Sequence, residues 1–224
     1  MDRGTKLKSV VELLGQPPAP TTGRDRLIAA GMELFYREGF QAVGLDRVIE
    51  YAGVTKTTFY KHFEAKDDLV LACVLARDAW ETQALERGVR EIAGDDPRGQ
   101  LIAFFDVLDE WFNDPDFHGC VFINVATEFP DKRDPIHKAG AEHKRQARDY
   151  FKSLAAKAGA KDPEEFADHF TILIDGTLVL RHVHGRDDAA QVARSAVMDL
   201  IERHMPSGKK PIAGSIPSKP RNVA

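Results

Sequence analysis

The stretch Ala52-Gly53-Val54-Thr55-Lys56-Thr57-Thr58-Phe59-Tyr60-Lys61-His62-Phe63 decides the reading of this chain. Gly53-Val54-Thr55 reads as a tight turn: glycine supplies backbone angles that other residues avoid, and threonine can cap the helix that follows. Phe59 and Phe63 stand four apart and so share that helix's buried side. Lys56, Tyr60, Lys61 and His62 fall on its other faces, and no acid occurs from residue 51 to 63. Just upstream, Leu45, Val48, Ile49 and Ala52 line one face of another short helix. Two short helices about a glycine-containing turn make a helix-turn-helix, whose second helix can enter the major groove of DNA with its N-terminal residues near the base edges. A helical hairpin that only packs would show the same apolar pattern.

Working outward, Leu27, Ala30, Gly31, Leu34 and Phe35 recur at helical spacing, with Thr22 and Asp25 as a capping-box variant in front and Gly39 behind. Lys66 opens a long helix through Leu69, Ala72, Cys73, Ala76 and Trp80. Further helices are expected over 97–113, 118–129, 135–158, 163–184 and 187–204. The breaks fall at Gly94 with Pro97, Asp114-Pro115, Pro130 and Pro135, Gly159 with Pro163, and Gly185. No alternating strand pattern and no fixed-period repeat stands out. The expectation is an all-α protein of about nine helices. Its parts are a flexible arm over 1–20, a helix-turn-helix DNA-binding domain over 21–66, an effector-binding and dimerisation domain over 67–206, and a disordered basic tail over 207–224. The tail holds Lys209, Lys210, Lys219 and Arg221 with no acid.

Composition bounds the function. The chain has 224 residues, 43% hydrophobic and 29% charged, which argues for a folded protein. Net charge is −4, a weak argument against a nucleic-acid partner, yet a local patch and not the global sum decides phosphate binding. Residues 24–66 carry 7 Lys+Arg against 6 Asp+Glu, and the local basic bias lies in the third helix. The longest apolar runs fall far short of the ~18 residues of a membrane span. The charged start (Asp2, Arg3, Lys6, Lys8) lacks a cleavage site, and two cysteines make no disulfide framework. A soluble, cytoplasmic protein is expected.

The segments Gly39-Phe40, Leu45-Asp46-Arg47-Val48-Ile49, Ala52 to Phe63 and Lys66-Asp67-Asp68-Leu69 together resemble the signature of the TetR family of transcriptional regulators. The resemblance implies that Thr55, Lys56, Thr57 and Thr58 face DNA, and that Tyr60, Lys61, His62 and Lys66 hold phosphates. It implies that Val54, Phe59 and Phe63 are core. Gly44 stands where the family often has Ser or Thr, and Thr57 where it often has Gly; the second departure bears on operator preference. The resemblance also implies a homodimer through the last two helices, where Leu178, Val179, Leu180, Val192, Ala193, Ala196, Val197, Leu200 and Ile201 are apolar. Ordinary intrachain packing would use the same residues. Residues 118–184 resemble the C-terminal domain of one subgroup through Gly119-Cys120, Phe122-Ile123-Asn124, Glu128-Phe129, Glu142-His143-Lys144 and Asp175-Gly176, which names no ligand.

That region also holds misplaced polarity. Cys120, Asn124 and Glu128 are spaced by four on an apolar helix; His143 falls on the stripe Ile136, Gly140, Ala147, Phe151, Leu154; Asp175 interrupts two apolar triplets. Buried ionisable groups are costly unless paired, so these are expected to meet. One reading is an effector pocket built from Trp80, Phe105, Trp111, Cys120, Asn124, Glu128, His143 and Asp175, with Phe104 and Phe122 as further wall. The others are an internal hydrogen-bond network, a divalent-ion site on Glu128, His143 and Asp175, and a redox role for Cys120. No phosphate loop, dinucleotide fingerprint, GxSxG, HExxH or Glu-x-x-His pattern occurs, so neither a cofactor nor enzymatic activity is expected. The expected function is a ligand-released repressor that binds a palindromic operator as a dimer. The alternatives are a small-molecule, thiol or metal sensor without operator binding, and a small helical enzyme.

Overall fold

In the computed structural model, which describes residue 15 and residues 17–205, Thr22 opens α1 (Gly23–Glu38) with a capping box. Its hydroxyl accepts the Asp25 N–H at 3.1 Å, and the Asp25 carboxylate accepts the Thr22 N–H at 3.0 Å. Helices α2 (Leu45–Tyr51) and α3 (Lys56–His62) follow. Between them the Val54 N–H donates to the Ile49 carbonyl and the Gly53 N–H to the Glu50 carbonyl, which satisfies the end of α2. Gly53 takes φ +61° to do so, a left-handed conformation that glycine adopts without steric penalty. Gly44 caps α2 without a side-chain hydrogen bond.

The long α4 (Lys66–Ala93) runs from this three-helix unit into the rest of the molecule. It packs on α1 through its first half and on α5 (Pro97–Phe112) and α7 (Pro135–Lys157) farther along. The short α6 (Val121–Glu128) lies against α7, and α8 (Pro163–His184) and α9 (Ala189–His204) complete the chain's described part. Of the prolines that read as breaks, Pro97, Pro135 and Pro163 are the first residues of α5, α7 and α8. Asp96, Asp134 and Asp162 precede them as caps, because proline costs no hydrogen bond at a helix's first position. Nine α-helices and no strand occur among the described residues. The arm and tail fall, apart from residues 15 and 17–20, outside them.

Phenylalanine dominates the larger core. Phe104, Phe105, Phe151, Phe166 and Phe170 meet ring to ring at 4.7–6.2 Å, in the offset and edge-on geometries that aromatic rings prefer. Of the apolar residues expected to pair two copies, Leu178, Ala193, Val197 and Ile201 are buried within the chain itself. Val179 and Val192 are exposed, as are Ile172, Val183 and Met198. The helix expected from residue 118 begins only at Val121. Gly119 at φ +88° turns the chain there, and the His118 N–H is held by the Tyr36 hydroxyl at 2.9 Å. Among the described residues, no helix is long and apolar enough to cross a membrane.

Candidate nucleic-acid interface and ligand cavity

On α3 the two faces separate cleanly. Phe59 and Phe63 are buried, and Val54 packs partly against the same core. Lys56, Thr57, Tyr60, Lys61 and His62 are exposed, Tyr60 at 61% with its ring edge-on to Phe59. Thr55 acts first as the cap: its hydroxyl accepts the Thr58 N–H at 3.1 Å and lies 3.0 Å from the Thr58 hydroxyl. Thr58 is half-buried, its methyl set against Gly23. Lys56 pairs with Asp46 at 2.9 Å, both side chains largely in water. Such an exposed pair is weak and screened by salt, so a phosphate can take the ammonium over.

Lys66, expected at a phosphate, has a partner within the chain. Its ammonium donates to the Phe40 carbonyl at 2.6 Å and sits 5.8 Å from the centre of the Phe35 ring. As the first residue of α4 it reaches back to the residue after Gly39 and ties the three-helix unit to α4.

A cavity of about 270 Å³ lies among α4, α5, α7 and α8. Of the residues expected around a pocket, Trp111, Cys120, His143 and Asp175 line it; Trp80, Phe105, Asn124 and Glu128 do not. Phe105 is core, and the Trp80 ring lies under the Arg77 guanidinium at 4.8 Å. The polar groups meet in pairs. His143 stacks face to face on Phe122 with centroids 3.5 Å apart and donates through Nδ1 to Asp78 at 2.6 Å. Lys144 donates to Asp175 at 2.7 Å, and Arg77 to Glu81 at 2.7 Å. Lys144, Glu81 and Tyr150 line the cavity unforeseen. The signals were present: Lys144 adjoins His143, and Arg77 and Glu81 stand four apart on one helix face.

Glu128, expected beside Cys120 and Asn124, has a different task. Cys120 is the cap of α6 and faces the cavity, whereas Glu128 at the far end accepts the Phe40 N–H at 3.1 Å and the Gln41 N–H at 2.8 Å. Gly39, at φ +94° with the carboxylate 3.4 Å from where a Cβ would stand, turns these amides toward it. Phe129 meets the Phe40 ring edge-on at 6.0 Å, and Arg37 bonds Asp116 at 2.9 Å. The segment from α5 to the end of α6 therefore clasps the loop between α1 and α2. The divalent-ion reading fails on the same geometry, because Glu128, His143 and Asp175 each serve a different partner. Among the described residues, no group of three or more His, Cys, Asp or Glu could hold a metal.

Burial pushes both the Cys73 and Cys120 thiols up from the ordinary cysteine value, against the stabilised thiolate that redox sensing needs. Alkylation by iodoacetamide at pH 8 is expected to be at least about tenfold slower in the native protein than in urea. Rapid native labelling of either thiol would contradict this burial.

Comparison with known proteins points the same way. Residues 27–73 match the family model "Bacterial regulatory proteins, tetR family", and residues 97–197 match "Tetracyclin repressor-like, C-terminal domain". The transcriptional regulator AcuR of Cereibacter sphaeroides is 26% identical over 191 residues, 77% of this chain and 87% of that one. Two shorter matches carry names of opposite sign. The repressor NemR of Escherichia coli is 25% identical over 52% of this chain and 58% of its own length. The activator FasR of Mycolicibacterium smegmatis is 35% identical over 38% of this chain and 40% of its own length. The crystal structure of a TetR-family transcriptional regulator from Streptomyces coelicolor superposes with a TM-score of 0.75 at 29% identity, covering 82% of this chain and 96% of that one.

Proposed function

Because the chain belongs to the TetR family of transcriptional regulators, DNA-binding proteins with a helix-turn-helix and a ligand-binding C-terminal domain, we propose that it is a ligand-released repressor. Residues 21–66 form its DNA-binding domain, and 67–206 bind the effector and dimerise. Members of the family bind operator DNA as dimers and respond to small molecules. Here two copies pair through α8 and α9, and their α3 helices enter successive major grooves of a palindromic operator, about 34–36 Å apart. The cytoplasm, where operator DNA is reached, is its place of action.

The observation that carries this reading is the exposed face of α3, with Lys56, Tyr60 and Lys61 in water over a closed core. The dimer is supported by the apolar stripe Ile172, Val179 and Val183 on α8, exposed at 67%, 46% and 67% and flanked by Val192 and Met198 on α9. Release is supported by α6: Cys120 at its start borders the cavity and Glu128 at its end holds the α1–α2 loop. A ligand shifts DNA affinity only by as much as it prefers one arrangement of these parts over another.

The test is footprinting on DNA upstream of the protein's own gene, followed by transcription in vitro. A two-fold symmetric footprint with reduced transcription is expected. No protected fragment at low salt would overturn DNA regulation, and increased transcription would make the protein an activator.

A further inference from the structure

The cavity's size, walls and pairing of charge define what it can hold. About 150 Å³ encloses one benzene ring, so 270 Å³ accommodates a molecule of roughly ten to twelve non-hydrogen atoms. Phe104, Leu108, Trp111, Phe151, Ile174 and Leu178 supply apolar and aromatic walls. The charged groups in its wall already have partners, Lys144 with Asp175 and Glu81 with Arg77, and His143 is hydrogen-bonded to Asp78. An ionised ligand would therefore enter without an unpaired counter-charge, and burying an uncompensated ion costs several kcal/mol. Glu86 adds a further carboxylate beside the exposed Thr82, which opposes an anion and leaves a cation only a half-exposed, water-screened partner.

One buried polar group of the cavity wall lacks a partner. The Tyr150 ring lines the cavity, and its hydroxyl is buried with no hydrogen bond. A buried unsatisfied hydroxyl is costly, and a swing of the Tyr150 side chain about χ1 that sets the hydroxyl against a ligand oxygen would relieve that cost.

We infer that the ligand is a compact uncharged molecule, largely aromatic, with one hydrogen-bonding oxygen that meets the Tyr150 hydroxyl. This rests on the reading of the cavity as the ligand site, and it is tested by binding alone, without DNA. Titration is followed by calorimetry and by tryptophan fluorescence, to which Trp111 in the cavity wall contributes, with 4-ethylphenol, ethylbenzene, 4-methylbenzoate and 4-methylbenzylamine as probes of similar shape. The neutral phenol is expected to bind at least about tenfold more tightly than either ion. Tyr150→Phe is expected to weaken the phenol about fivefold and leave ethylbenzene unchanged.

Equal or tighter binding of the carboxylate or the amine would overturn the inference. So would the absence of millimolar binding by any probe, or an undiminished phenol affinity in Tyr150→Phe. Binding as expected with no effect of the phenol on the operator complex would count against ligand release and leave the assignment of ligand class standing.

Discussion

Val179→Glu is expected to leave the protein monomeric and to weaken operator binding by about 10²–10⁴-fold. Val179 lies between Ile172 and Val183 on a face of α8 that no described residue covers, and a Cβ added at the neighbouring Gly176 would meet open space. If two copies meet there, symmetry sets the face against its own equivalent, so one substitution places two carboxylates in the centre of an apolar contact. Burying them unpaired costs more than such an interface can return. With one module per molecule, binding of the second half-site is no longer intramolecular, and the affinity falls by the lost effective concentration. Light scattering after size exclusion reads the mass, and a gel shift reads the affinity. A Val179→Glu dimer with unchanged operator binding would place the contact elsewhere.

Glu128→Ala is expected to destabilise the protein by about 2 kcal/mol and to lower Tm by about 4–8 °C. The carboxylate accepts two backbone N–H groups at 3.1 and 2.8 Å, and alanine leaves both without an acceptor. Glu128→Gln keeps one accepting oxygen and should lose about half as much. Amide exchange at Phe40 and Gln41 should quicken in both variants, while probe binding in the cavity persists. An unshifted Tm with unchanged exchange at those amides would mean that the clasp contributes nothing.

The helices were legible because their ends are written locally. Thr22 with Asp25, Gly53, and the prolines after Asp96, Asp134 and Asp162 act within a few residues of themselves. The exposed and buried sides of α3 follow from the four-residue spacing of Phe59 and Phe63 in the same way. Glu128 and Lys66 escaped because their partners lie far away in sequence, Glu128 across 88 and 87 residues and Lys66 across 26. Periodicity tells which residues share a helix face, and leaves unstated which element that face meets. The stripe of Cys120, Asn124 and Glu128 misled for a related reason: Gly119 delays the helix, so Cys120 sits at its cap and Glu128 closes the opposite end on another neighbour. His143, Asp175 and Glu128 were expected to meet one another; instead each takes a partner distant in sequence, Asp78, Lys144 and the Phe40 and Gln41 amides, which only three-dimensional packing supplies.

The central claim is that the exposed side of α3 docks on duplex DNA, and the salt dependence of binding tests it most directly. Measured on the footprinted fragment and on an unrelated duplex, Lys61→Ala should weaken both complexes and reduce the slope of log K against log salt by about one. An unchanged slope and affinity in Lys61→Ala, repeated in Lys56→Ala, would contradict the account.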